Sequence, residues 1–426
     1  MVPRYGNAMM NLRLLLILLF LLSGCMRAER PAAVVRPAVR PPVILISIDG
    51  FRPDYLERGV TPTLNALAAA GVRARAMRPS FPTLTFPNHY SLVTGLRPDR
   101  HGIVNNTIED PAIPGVRFSL GNRAAVIDRR WWDAAEPIWV TAEKAGVRTA
   151  TMFWPGSEAD VRGVRPAHWA VFDGAMPGEA RVDTLLGWLD LPDRPGFMTL
   201  YFDEVDHDGH GFGPDSAAVT AAAGRVDGQI GRLLTGLKAR GIAANIIIVS
   251  DHGMAATAPE RVIRLDMLLP TGSFRVVTAG AVAGLEAMPG QGGVLAAALA
   301  RVTASGRDHM RCWPRLRIPA RFGYGRNARV PAFVCIADVG WLILGAAPRE
   351  PVQAGGMHGY DQRDPAMAAT FIAAGPAFRA GTVLPPFDNV DVYPLAMRLL
   401  GVRALASDGR IAPLAKALRH RHSLDR

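Results

Sequence analysis

The run Val43-Ile44-Leu45-Ile46-Ser47-Ile48, framed by Pro42 and by Asp49-Gly50, constrains this chain more than any other stretch. Six β-prone residues with no polar face read as a strand covered on both sides. Strands of that kind occur in parallel sheets with helices packed on each face. Comparable runs fall at 149–154, 197–202, 245–250 and 369–374. Helical patterns lie between them: from Asp215 to Ala239, Val219, Val226, Ile230, Leu233, Leu234 and Leu237 recur at spacings of three, four and seven behind a Pro214-Asp215-Ser216 cap. Strand then helix, repeated, predicts an α/β fold with a mostly parallel central sheet and helices on both faces. The segment from about 255 to 345, dense in Pro, Gly and Arg, breaks the rhythm and predicts a small inserted subdomain.

The N-terminus reads as a targeting segment. Arg4 and Arg13 precede an apolar run from Leu14 to Leu22, then Ser23, Gly24 and Cys25. That run is short of the roughly 20 residues a membrane span needs and has the shape of a signal peptide. Leu22-Ser23-Gly24-Cys25 resembles a bacterial lipobox, so residues 1–24 are expected to be removed and Cys25 lipidated. Residues 25–42, rich in Pro, Ala and Arg, form a linker; 43–405 form the catalytic domain and 406–426 a C-terminal tail. The mature chain is expected in the periplasm as a lipid-anchored monomer. In that oxidising compartment Cys312 and Cys335, 23 positions apart, are expected to pair.

Apolar residues at 49% exclude a disordered chain, and the net charge of +11 falls to +9 once residues 1–24 are removed. Only three lysines occur, so 45 of the 48 basic residues are arginine, and these are scattered rather than striped. A nucleic-acid partner is not expected.

Polar residues at strand ends carry the chemistry, because open parallel sheets bind ligands beyond the carboxyl ends of their strands. Asp49 follows the first run, and Asp251 and His252 follow 245–250. Asp206 and His210, four apart after 197–202, share a face if that stretch is helical, and His358 sits in Gly355-Gly356-Met357-His358-Gly359. Three aspartates and three histidines at such positions suit two divalent metals, with zinc favoured over manganese or iron. A hydroxyl nucleophile is expected in Pro79-Ser80-Phe81-Pro82-Thr83-Leu84-Thr85-Phe86-Pro87-Asn88-His89; spacing alone leaves Ser80, Thr83 and Thr85 open.

Several motifs carry a resemblance. Ser47-Ile48-Asp49-Gly50-Phe51-Arg52, Thr85-Phe86-Pro87-Asn88-His89, Gly102-Ile103-Val104-Asn105-Asn106, Glu136-Pro137-Ile138-Trp139, Phe153-Trp154-Pro155-Gly156-Ser157, Ser250-Asp251-His252-Gly253-Met254, His358-Gly359-Tyr360-Asp361 and Asn389-Val390-Asp391-Val392-Tyr393-Pro394 occur in order from about 43 to 402. Together they resemble the nucleotide pyrophosphatase/phosphodiesterase family of the alkaline phosphatase superfamily. The resemblance implies a zinc held by Asp206, His210 and His358. A second zinc would be held by Asp49, Asp251, His252 and the oxygen of Thr85, the nucleophile. It further implies that Asn106 and the amide of Phe86 bind a phosphoryl oxygen, and that Phe86 and Tyr201 form a slot for a nucleobase. One stretch departs from the family pattern: Glu204-Val205-Asp206-His207-Asp208-Gly209-His210 lacks the usual proline before the aspartate and small residues after it, so His207 or Asp208 competes as a ligand. His89 and His101 read as structural.

The implied reaction is hydrolysis of nucleotide phosphodiester and pyrophosphate bonds through a covalent phospho-threonine, by two displacements. Other phosphodiesters, of the lysophospholipid or glycerophosphodiester type, or phosphoryl transfer to an organic acceptor are the alternatives. Thr85 speaks against a sulfatase, which wants a modifiable Cys or Ser. Arg52, Arg97 and Arg100, whose placement bears on monoester binding, cannot be positioned from sequence.

Overall fold

The computed structural model describes Met1 and residues 40–419. Apart from Met1, the expected signal peptide, the expected lipidation site Cys25, the expected linker up to residue 39 and residues 420–426 lie outside the described residues. No described helix is long and apolar enough to cross a membrane.

The central sheet has eight strands: β1 (Val43–Ile48), β2 (Val72–Ala74), β3 (Thr149–Met152), β4 (His168–Trp169), β5 (Phe197–Phe202), β6 (Asn245–Val249), β7 (Phe371–Ala374) and β8 (Thr382–Leu384). Their order is β8-β2-β7-β6-β1-β5-β3-β4. From β6 to β4 all neighbours are parallel, with β1 at the centre between β5 and β6. β7 is the reversed strand, antiparallel to both β6 and β2. The long insertion leaves the carboxyl end of β6 and returns at the same end, so the chain re-enters the sheet without a crossover.

The unbroken apolar character of β1 has a direct cause. Val43 and Leu45 point into one buried cluster, with helices Thr85–Thr94, Ile138–Lys144 and Val392–Leu400. Ile44, Ile46 and Ile48 point into the other, with Pro62–Ala70, Gly178–Trp188 and Ala217–Ala239. Strand alternation thus feeds two cores, and neither face can be polar. The helix expected from Asp215 begins at Ala217, after Ser216 caps it by accepting from the Val219 amide at 3.2 Å.

The insertion is a four-stranded antiparallel sheet of Phe274–Thr278, Val282–Ala287, Phe333–Ala337 and Met310–Pro314, in that order, backed by helix Gly292–Ser305. It has its own apolar cluster around Leu285, Leu295 and Leu299. Cys312 and Cys335 stand opposite one another across two of its strands with their sulfurs joined. The stretch Ala255–Thr257, expected inside the insertion, instead pairs with Gly355–Met357 beside the cluster of strand-end residues. The boundary at 405 also needs correction, because Leu414 and Ala417 are fully buried in the core around helix Thr85–Thr94. Packing, not composition, sets that edge.

Candidate active site

The strand ends deliver their residues to one place. Asp49 leaves β1 with its amide still bonded to the Phe202 carbonyl at 2.9 Å, and is 1% exposed. Gly50 then turns with φ +66°, its amide donating to Asp251 Oδ1 at 3.2 Å; a Cβ there would stand 3.2 Å from the Cα of Asp206. Glycine is the residue that allows both the left-handed turn and the close approach. Asp206 and His210 lie on helix Glu204–Phe212. Side chains at Gly355 or Gly356 would collide with the carbonyl oxygens of His210 and Gly209, so this pair of glycines lets the strand carrying His358 press against that helix.

The histidines are set by their backbone partners. His210 Nδ1 lies 2.9 Å from the Gly356 carbonyl, His358 Nδ1 2.9 Å from that of Thr83, and His252 Nδ1 2.9 Å from that of Gly253. A carbonyl only accepts, so each Nδ1 carries the proton and each Nε2 presents a lone pair. Those lone pairs converge: His210 and His358 Nε2 are 3.1 Å apart, with Asp206 carboxylate oxygens at 3.4 and 3.6 Å. His252 Nε2 is 3.0 Å from Asp251 Oδ2, 3.4 Å from Asp49 Oδ1 and 3.3 Å from Thr85 Oγ1. The rings of His252 and His358 stack at 3.6 Å, joining the two sets.

Such a cluster crowds three carboxylates together, and burial, which would lower His252, is outweighed by Asp251, which raises it. Burial, then the neighbouring Asp251 and Asp206, push the Asp49 carboxyl well above its ordinary value, and burial raises Asp206. Burial alone would raise Asp251 too, but His252 and His89 outweigh it and hold that carboxyl well below the usual range. Burial, His252 and His210 hold His358 well below its usual value. Asp49 Oδ1, Asp206 Oδ1 and Asp251 Oδ2 are buried without a hydrogen-bond partner. Orphaned acceptors and opposed lone pairs are what divalent cations would satisfy, and the groupings Asp206/His210/His358, Asp49/Asp206/His252 and Asp49/His89/Asp251 are compact enough to hold them.

The three hydroxyl candidates separate cleanly. Ser80 Oγ donates to Asn389 Oδ1 at 2.9 Å, and Thr83 Oγ1 donates to the Tyr360 carbonyl at 3.1 Å while accepting from the Gly359 amide. Both are fully buried. Thr85 opens helix Thr85–Thr94, where backbone amides and the helix dipole favour an anion, and its side chain borders a cavity of about 450 Å³.

Two expectations are modified. The Phe86 amide donates to Asn106 Oδ1 at 3.0 Å, so these groups bond each other and Asn106 Nδ2 is left as the donor. Tyr201 is 8% exposed and its hydroxyl donates to Asp49 Oδ2 at 2.7 Å. The aromatic more open to the cavity is Phe172, 46% exposed, its ring centroid 6.2 Å from that of Tyr201. Phe172 was invisible in the sequence, since Val171-Phe172-Asp173-Gly174 has no periodicity or motif. Asp208 is tied to Arg225 at 3.1 Å, and His207 lines the cavity outside all three metal-compatible groupings. Arg52, Arg97 and Arg100 pair with Asp54, Asp388 and Asp408 respectively.

The model of the type I phosphodiesterase/nucleotide pyrophosphatase family matches residues 43–361. A pyrophosphatase/phosphodiesterase of Schizosaccharomyces pombe is 38% identical over 403 residues, covering 89% of this chain and 81% of the relative. Human ectonucleotide pyrophosphatase/phosphodiesterase family member 1 is 35% identical over 392 residues, covering 89% of this chain but 42% of the relative, so the chain spans about two fifths of that protein. The solved structure of human ectonucleotide pyrophosphatase/phosphodiesterase 5 superposes with a TM-score of 0.84 at 31% identity, covering 89% of this chain and all of that one. An inactive threonine-to-alanine variant of the murine counterpart, in complex with AMP, superposes equally well at 32% identity. With its alkaline-phosphatase-like sheet and its strand-end Asp/His cluster, the chain belongs to the nucleotide pyrophosphatase/phosphodiesterase family.

Proposed function

We propose that the chain is an exported two-metal phosphodiesterase that cleaves nucleotide phosphodiester and pyrophosphate bonds through a covalent phospho-threonine on Thr85. The observation that carries this reading is the position of the Thr85 hydroxyl, at a helix N-terminus where the Asp/His cluster meets the aromatic cavity. In this reading Asp206, His210 and His358 hold one zinc; Asp49, Asp251 and His252, with Thr85, hold the other. Manganese or iron are the alternatives. Bound there, the ions lower the pKa of the threonine hydroxyl and offset charge on the phosphoryl oxygens.

Thr85 Oγ bonds to phosphorus as the bond to the leaving oxygen breaks, and water then releases the nucleotide from the threonine. Asn106 Nδ2 donates to a phosphoryl oxygen, with its amide plane fixed in advance by the Phe86 N–H. Phe86 and Phe172 offer apolar faces to a flat base, while Tyr201 acts by holding the Asp49 carboxylate. Among the described residues lining this cavity the one guanidinium is Arg123, which is paired with Glu158. The aromatic cavity thus offers no unpaired cation among its described residues for the second charge of a monoester, which favours diesters. Export, lipidation of Cys25, a periplasmic location and a monomeric state complete the reading.

The test compares hydrolysis of bis-p-nitrophenyl phosphate with that of p-nitrophenyl phosphate. Diester preference is expected, abolished by chelation and restored by zinc, with Thr85→Ala lowering kcat on the order of 10⁴-fold or more. A monoester preference, or a Thr85→Ala enzyme of near-normal rate, overturns the proposal.

A further inference from the structure

A second chamber of about 350 Å³ also borders the cluster, its lining including Asn106, Thr107, Arg117, His210, Thr278 and His358. His210 borders both this chamber and the aromatic cavity; Thr85 borders only the latter. A phosphodiester has two arms, and in-line displacement sends the leaving oxygen away from the attacking one. With one arm in the aromatic cavity beside Thr85, the second chamber is the space left for the departing arm.

Its electrostatics depend on one side chain. Arg117 is the sole arginine or lysine among the described residues lining the chamber. It stands opposite Glu109 in the hairpin Thr107–Glu109/Arg117–Ser119, but Glu109 gives its two oxygens to Arg275 at 3.0 and 2.7 Å. Arg275 also stands opposite Glu286 on the neighbouring strand, so it is balanced by two carboxylates, and none of the described residues lining the chamber is an Asp or Glu that would neutralise Arg117 there. Arg117 is exposed, and Nη2 donates to the Val277 carbonyl at 2.6 Å, which aims the fork while leaving its other N–H groups for a ligand. Arg117, Val277 and Arg275 also line an adjoining cavity of about 540 Å³, but Glu109, Asp110 and Glu286 line it too, so the chamber is where an anion is favoured.

We propose that this chamber is the leaving-group subsite, and that Arg117 makes it selective for a polyanionic leaving group (pyrophosphate or a longer phosphate chain) over an alcohol or phenol. The inference rests on the phosphodiesterase reading above. For a nucleoside triphosphate, the Thr85 oxygen bonds to the α-phosphorus. The bridging α–β P–O bond breaks with its electron pair on the departing pyrophosphate, and water then hydrolyses the threonyl ester to the monophosphate.

The experiment measures kcat/KM of wild type, Arg117→Ala and Arg117→Lys, each loaded with zinc, on ATP and on the p-nitrophenyl ester of thymidine 5′-monophosphate. In Arg117→Ala the ATP-to-ester ratio is expected to fall about tenfold, the scale of one lost charge-assisted contact, and to recover largely in Arg117→Lys. Competitive inhibition by pyrophosphate weakens by a similar factor, while inhibition by AMP changes by less than about twofold. An unchanged ratio, or equal loss on both substrates, overturns the subsite. A wild type that cleaves the ester but not ATP also overturns it and leaves the phosphodiesterase reading standing. A wild type inert on both refutes that reading itself.

Discussion

Two groups of buried histidines lie close together in this molecule, and their bonding differs in kind. His89, on helix Thr85–Thr94, has Nδ1 against the Thr85 carbonyl at 2.9 Å and Nε2 against the Ser47 hydroxyl at 2.8 Å. His101 accepts the Ile103 amide at Nδ1 and meets the Ser91 hydroxyl at Nε2, at 3.1 and 3.0 Å. Each ring has both nitrogens engaged by groups of the right polarity, even though His89 also stands 3.4 Å from Asp251 and groups compactly with it and Asp49. His210, His252 and His358 spend their Nδ1 protons on carbonyls and turn bare Nε2 atoms toward one another and toward carboxylates. Burial alone therefore does not mark a ligand. What marks it is a lone pair aimed at other lone pairs, a geometry that costs free energy until a cation fills it.

The sharpest way to break this contrast is to count metal. His358→Ala is expected to lose one of two bound equivalents, with affinity at that site falling more than about 100-fold and activity with it. His89→Asn, which removes an equally buried ring 3.4 Å from Asp251, is expected to keep both. Elemental analysis of the folded proteins decides it, and equal metal loss in the two variants would erase the distinction. A smaller effect follows on stability. Free metal at 100 times its dissociation constant stabilises by about 2.7 kcal/mol per site. Chelation should thus lower the Tm of wild type, and by about half as much in His358→Ala. A Tm indifferent to chelation would mean the opposed lone pairs are tolerated without a cation.

How much of this was legible beforehand follows the same physics. β1, β5 and the start of β6 were readable to the residue, because strands buried on both faces read as near-continuous apolar runs that turn residues bound. Asp49, Asp206, His210, Asp251, His252 and His358 were legible as a set, since strand-end positions and motif order are properties of the chain. The bonding that separates Thr85 from Ser80 and Thr83 was not, because the partners of those hydroxyls, Asn389 and Tyr360, lie about 300 positions away. Phe172 was hidden for the same reason: it reaches the cavity from a loop, and only the tertiary fold brings it to Tyr201. The reversal of β7 likewise depends on where the insertion returns, which no local pattern encodes.

His101 supplies the last and smallest test, on the closed side of the contrast. Burial, reinforced by the nearby Arg329 guanidinium, pushes its pKa down from 6.5 to about 3. A histidine whose folded pKa lies below its unfolded one contributes stability that is full above about pH 6.5 and is lost as the pH falls toward the folded value, because the unfolded chain takes up the proton first. Over the window from pH 6.5 to 5 the loss amounts to about 1.6 kcal/mol, since the slope is half of about 1.4 kcal/mol per pH unit at the unfolded pKa and nears the full value below it. His101→Gln retains a donor toward Ser91 but nothing that titrates, so its stability should be flatter across that window by about one proton's worth of slope. Urea unfolding of both proteins in chelator, at half-unit steps, measures the difference directly, and contributions from the metal cluster cancel between them. Parallel curves would mean that His101 already shares its proton with solvent, and that the bonds to Ser91 and Ile103 do not close the ring off as those of His89 do.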